Sequence, residues 1–116
     1  MDVSEDPSLE TVVGLLDDEY ARTILTAVST EHMSASELAD HCDCSLPTAY
    51  RRLERLESAG LVTERTRPRT DGHHDAVYAA TLDEVSIRLR QGRLELALER
   101  RDDDPAGRLA DLWGDL

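Results

Sequence analysis

The chain has 116 residues and a formal net charge of −12, a length that suits one domain with at most a short appendage. Its hydrophobic content is 40%, with three Tyr, one Trp and no Phe, so the expected core is aliphatic and modest, and pairing with a second copy would help to bury apolar surface. No apolar run approaches the roughly 18 to 20 residues of a membrane span, and the opening MDVSEDPS lacks the basic and apolar parts of a secretory signal. The expectation is a cytoplasmic protein with no membrane partner.

Residues 1–7 read as a disordered lead-in ending at Pro7. Ser8 is placed to cap a first helix carrying Leu9, Val12, Val13, Leu15 and Leu16. Asp17 and Asp18 open a second, in which Ala21, Ile24, Leu25 and Val28 repeat at helical spacing. Ser34 and Glu37 form a capping box for a short third helix over about 35–42, with Leu38, Ala39 and Cys42 inward. Asp43-Cys44 turns the chain, and Ser45 starts a fourth helix with Pro47 in its first turn. Ala49, Leu53 and Leu56 form its apolar stripe, and Gly60 stops it.

After Gly60 the period becomes strand-like. Residues 61–65 lead into an Arg- and Thr-rich tip with Pro68 and Asp71-Gly72, and 75–81 return, which predicts a β-hairpin. Beyond it Val85, Ile87 and Leu89, then Leu94, Leu96 and Leu98, alternate with polar residues around Gln91-Gly92. Period two fits every one of these positions, whereas a helix would leave Ile87 and Leu96 off its stripe, so a second hairpin is predicted. Ala106, Leu109, Leu112 and Trp113 fit one side of a terminal helix. The expected class is α+β: a winged helix-turn-helix over 8–81, then a hairpin and helix over 82–116 that serve dimerisation.

Charge is the most informative feature. Residues 1–44 carry a net −10 and residues 70–116 a net −5, but residues 45–69 hold six Arg against three Glu, a net +3. A positive stretch inside an anionic protein is what a polyphosphate partner requires. All thirteen basic residues are Arg. In a cytoplasm loaded with roughly 1 M salt the Debye length would be about 3 Å, so phosphate contacts would have to be short, which favours the bidentate guanidinium.

Two short helices around a tight turn, the second Arg-rich and followed by a basic hairpin, make the winged helix-turn-helix plan. On the fourth helix (45–59), Thr48, Arg52 and Arg55 would share an exposed stripe, with Pro47 and Arg51 opposite the core. Its N-terminal end, with Ser45, Thr48 and free backbone N–H groups, would enter the major groove of double-stranded DNA first. Arg51 or Arg52 would reach guanine edges or phosphates, Arg55 a phosphate, and Tyr50 a phosphate from the flank. The wing (61–81), with Arg65, Arg67 and Arg69, would lie on the backbone or dip into a minor groove. The competing possibility for these arginines is a solvated face paired with Glu54, Glu57 and Glu64.

The segment SASELADHCDCSLPTAYRRLERLESAGLVTERTR resembles the helix-turn-helix and wing of ArsR-type regulators, especially small haloarchaeal members, over about Leu15 to Thr81. Acidic excess with Arg in place of Lys is likewise the habit of salt-loaded cytoplasms. The resemblance implies a homodimeric transcription regulator, most often a repressor, with 45–59 as its recognition helix. Arsenic sensors of this type carry a Cys-x-Cys, which Cys42-Asp43-Cys44 brings to mind. Here, however, Cys44 abuts Ser45 and a third thiol is missing, so the expectation is no metal and no cofactor. No nucleophile, phosphate loop or carboxylate dyad suggests an enzyme. The expected dimer contacts are Leu94, Leu96, Leu98, Leu109, Leu112 and Trp113. The alternative function is a winged-helix adaptor whose basic face docks on an acidic protein and reads no DNA.

Overall fold

The structure, a computed structural model, describes residues 6–101. Its helices are α1 (Leu9–Asp17), α2 (Glu19–Val28), α3 (Ala35–Cys42) and α4 (Leu46–Ser58). Each begins where a side chain accepts from a backbone N–H that the helix itself leaves unpaired. Ser8 Oγ accepts from the Thr11 amide at 3.1 Å, and Asp18 Oδ1 from the Tyr20 amide at 2.9 Å. At α3 the exchange is reciprocal: Ser34 Oγ accepts from Glu37 N at 3.2 Å, and Glu37 Oε1 accepts from Ser34 N at 2.8 Å. Ser45 Oγ accepts from Thr48 N at 3.2 Å at the start of α4.

The apolar stripes of these helices meet in one aliphatic core. Val12, Leu15, Ile24, Leu38, Leu53, Leu56, Leu61 and Val77 are its largest fully buried side chains. The turn between α3 and α4 is tight because Asp43 takes the left-handed conformation (φ 55°), which lets Cys44 N donate back to Ala39 O at 3.0 Å.

Helix α4 ends in a Schellman arrangement. Gly60 N donates to Glu57 O and Leu61 N to Leu56 O, each at 2.9 Å, with Gly60 at φ 77°. Strands β1 (Val62–Pro68) and β2 (His74–Ala80) follow as an antiparallel hairpin, paired from Val62↔Ala80 out to Pro68↔His74. Strand β1 therefore includes Thr66, Arg67 and Pro68, which the sequence reading placed in the tip. The tip is shorter, closed by Arg69 N donating to His73 O at 2.8 Å. Met33 pairs with the outer edge of β2 through Tyr78, so the wing is tied to the α2–α3 connection as well as to α4.

The second hairpin is present as expected: β3 (Leu82–Arg90) pairs antiparallel with β4 (Arg93–Arg100). Gln91 (φ 52°) and Gly92 (φ 79°) supply the two left-handed residues that a type I′ turn demands. Val85↔Leu98, Ile87↔Leu96 and Leu89↔Leu94 are cross-strand neighbours, so all six aliphatic side chains share one face of this ribbon. Its anchors lie at its base. Leu82 and Leu98 pack against the core, Arg100 Nε donates to Gly60 O at 3.1 Å, and Arg101 Nη1 donates to Ser29 O at 2.9 Å. Arg100 also pairs at 2.9 Å with Asp6, a residue of the expected lead-in. The predicted terminal helix, with Leu109, Leu112 and Trp113, lies outside the described residues.

Gly60 meets two constraints at once: its positive φ, and the Arg100 guanidinium 2.8 Å from where a Cβ would stand. Gly60→Ala is therefore expected to cost about 1–2 kcal/mol from backbone strain alone. Thermal unfolding should register this as a midpoint lower by roughly 4–8 °C per kcal/mol, and an unchanged midpoint would contradict the assignment.

Candidate nucleic-acid interface

Helix α4 turns Ala49, Leu53 and Leu56 into the core, which fixes what its other faces show. Directly opposite stand Pro47 and Arg51, both exposed. Along the first turn a short polar chain forms. Ser45 Oγ donates to Thr48 Oγ1 at 2.9 Å, and Arg51 Nη2 reaches the same oxygen at 3.5 Å. At the positive end of the helix, these hydroxyls and the Arg51 guanidinium form an edge suited to anionic oxygens. Tyr50, half exposed, flanks it on the wing side in an open groove shared with Arg51, Glu54, Glu57 and Tyr78.

Arg52 is elsewhere. The sequence reading set it on an exposed stripe, but its Nε donates to Asp18 Oδ2 at 2.5 Å and its guanidinium carbon lies 5.6 Å from the centre of the Tyr20 ring. Arg55 Nη1 stands 3.7 Å from the same Asp18 oxygen while its side chain stays 53% exposed. Partial burial works to raise the Asp18 carboxyl. Hydrogen bonds from Arg52 and from the Ala21 and Tyr20 amides outweigh it and hold the group below the usual carboxylate range. One carboxylate thus caps α2 and fastens α4 to it.

The wing is likewise charge-matched. Arg67 Nη2 donates to Asp75 Oδ2 at 2.9 Å and lies 3.4 Å from Glu37 on α3. Arg69 Nη1 donates to Asp75 Oδ1 at 3.1 Å, with its Nε 3.7 Å from Asp71. The hydrogen bonds from Arg67 and then Arg69 hold Asp75 below its ordinary range, and Asp75 with Glu37 holds Arg67 more firmly protonated. Arg65 is exposed on β1 opposite Val77. The expected partners Glu54, Glu57 and Glu64 are thus not those that engage Arg52, Arg67 and Arg69. The acids come from the cap of α2, from α3, from the tip and from the returning strand.

Cys42 and Cys44 are free thiols, both half-buried. Burial pushes the Cys42 thiol up, and the neighbouring Cys44, which shares a hydrogen bond with it, adds to the effect. Such a thiol is a poor thiolate at neutral pH. Among the described residues no group of three or more His, Cys, Asp or Glu side chains is arranged to hold a metal ion, and no helix is long and apolar enough to cross a membrane.

An apolar groove of about 510 Å³ separates α1 from the ribbon, lined by Leu9, Val13, Gly14, Ile87 and Leu94 with Glu10 and Asp17 at its edges. Leu94 (56% exposed) was expected at such a surface. Leu89 (75%), Ile87 and Val13 were not, although their period marked them as one-sided. Leu98, expected there too, is partly used at the ribbon's base.

Residues 16–65 match a family described as Helix-turn-helix domain. That span runs from the end of α1 through α4 into β1, the part of the chain that presents Ser45, Thr48 and Arg51. The fold is similar to the crystal structure of NolR from Sinorhizobium fredii, with a TM-score of 0.52 and 16% identity over 89% of this chain and 78% of that one. No curated protein sequence matches the chain. The four helices and wing are thus those of a winged helix-turn-helix.

Asp18→Asn keeps a capping oxygen but removes the charge that holds Arg52. Because the folded pKa is depressed, the stabilisation exists above the unfolded carboxylate pKa and disappears as pH falls through the folded one. At neutral pH the variant is expected to lose about 1 kcal/mol, below the usual worth of a charged hydrogen bond because solvent reaches the pair. Urea unfolding at neutral pH and again below the folded titration checks this; a deficit of equal size in both would contradict it.

Proposed function

We propose that this protein is a homodimeric, sequence-specific DNA-binding transcription regulator that places α4 in the major groove. The observation that carries the reading is the outward edge of α4, where Ser45, Thr48 and Arg51 gather at a helix N-terminus within the segment matching a helix-turn-helix family. Arg51 is the side chain positioned to meet guanine O6 and N7 or a phosphate. Pro47 sits beside it on the same face, Tyr50 reaches a phosphate from the flank, and Arg55 is a backbone contact shared with Asp18. Arg52 serves the scaffold instead. A dimer this small acts most simply at a promoter by occlusion, hence as a repressor, and would meet its duplex in the cytoplasm.

The wing contributes less charge than the stretch 45–69 alone suggests. Extending that stretch to Asp75 sets six Arg against five acids. This balance is the observation that favours the adaptor alternative, in which the same faces meet a protein. Footprinting on the protein's own promoter region separates the two, since an adaptor protects nothing. In duplex-binding titrations Arg51→Ala is expected to weaken cognate binding by about 10- to 100-fold, the worth of one bidentate base contact. Arg52→Ala should lower thermal stability more than it lowers affinity per folded molecule. Near-wild-type binding by a folded Arg51→Ala variant would sink the proposal.

The dimer reading rests on the ribbon. A two-stranded hairpin is marginally stable alone in water, and this one keeps Ile87, Leu89 and Leu94 exposed on a single face beside Val13 of α1. A second copy offering the same face would bury it, as an isologous interface does. Leu89→Asp with Leu94→Asp should shift the protein to monomer in analytical ultracentrifugation without unfolding α1–α4. An unchanged mass would exclude the ribbon as the contact.

A further inference from the structure

The two oxygens of Asp75 are divided between two guanidinium groups. Oδ2 takes Arg67 at 2.9 Å and Oδ1 takes Arg69 at 3.1 Å. The placement is built in: Arg67 and Asp75 are direct cross-strand neighbours, and Arg69 reaches back from the tip. An anionic group whose two oxygens are held by two arginines is also how a backbone phosphate is gripped. Glu37 at 3.4 Å and Asp71 at 3.7 Å supply the remaining acid, so three carboxylates surround two arginines. All these pairs are partly exposed, with side-chain accessibilities from 25% to 51%, weak enough to exchange for another anion.

We infer that Asp75 is a specificity-determining residue: an internal surrogate for a DNA phosphate that keeps Arg67 and Arg69 occupied until α4 has seated on its site. The inference rests on the DNA reading above. A duplex approaching the wing alone gains little, because each new phosphate contact breaks an existing ion pair and leaves a carboxylate facing the backbone. A duplex already held by α4 brings its phosphates to the wing at high local concentration and displaces Asp75 there. The wing then adds affinity to correct sites and withholds it from others. Loss of Asp75 should make the wing a permanent, indiscriminate cationic grip.

The test is a salt titration of duplex binding with promoter and scrambled DNA. Asp75→Asn is expected to bind scrambled duplex about tenfold more tightly at the low-salt end. The slope of log K against log salt should steepen by up to ~1.8, the contribution of two further phosphate contacts. Adding Arg67→Ala and Arg69→Ala to Asp75→Asn should return the slope to that of the wild type. Asp75→Ser removes the same carboxylate and should steepen the slope equally, which keeps the test available if Asp75→Asn folds poorly. Asp83→Asn makes the same change in net charge on the ribbon and should leave the slope alone. A parallel or shallower line for both Asp75 variants, or equal steepening by Asp83→Asn, would each overturn the inference. Arg51→Ala, run alongside, reads α4 separately: its loss of promoter binding beside a parallel Asp75→Asn line would leave the DNA reading standing and remove this one. Absence of duplex binding by the wild type would remove both.

Discussion

The carboxylate of Asp18 holds the architecture's key junction. It receives the first amides of α2 and the Arg52 guanidinium of α4 together, so the helix proposed to face DNA cannot rotate about its axis without breaking its ion pair to the residue that caps its neighbour. With Ala49, Leu53 and Leu56 buried on one side and Arg52 tied on another, α4 has a single remaining outward face. That face carries Pro47 and Arg51. The orientation that a groove-reading helix needs is therefore set by one short polar contact added to an aliphatic core.

Much of this was legible locally. Ser8, the Ser34–Glu37 box, Ser45 before Pro47, and Gly60 each specify a helix end within three or four residues, and the structure uses each of them. The second hairpin followed from strict alternation through Gln91-Gly92, where helical spacing could not place Ile87 and Leu96. The fates of the arginines were not legible, because some partners are remote and the nearer ones, Asp71 and Asp75, lie just past the basic stretch. Asp18 and Arg52 are 34 positions apart, and Glu37 and Arg67 are 30 apart. Charge counted along the chain found only Glu54, Glu57 and Glu64 nearby, while folding brought acids from three other elements. Helical spacing placed Arg52 correctly on the flank of α4 but could not show that α2 covers that flank.

A cationic island would bind any polyanion. What the fold presents instead is a small outward edge on α4, backed by arginines that already have internal partners. For the DNA reading proposed above this division makes physical sense: an acidic protein has little long-range attraction for DNA, so discrimination would depend on contacts made at hydrogen-bond distance, and arginines held by carboxylates would not engage DNA indiscriminately. The Arg100 and Arg101 clamps extend the same logic to the scaffold, joining the base of the ribbon to the ends of α4 and α2.

The most direct measurement of this division is the set of arginine side-chain Nε–Hε resonances, followed by NMR as promoter duplex is added. The account predicts that Arg51 shifts strongly, while Arg52 keeps a protected, hydrogen-bonded signal that barely moves. An Arg52 resonance that shifted as far as that of Arg51, with loss of its protection, would show that the Asp18 contact is not the fixed junction described here and would contradict the account.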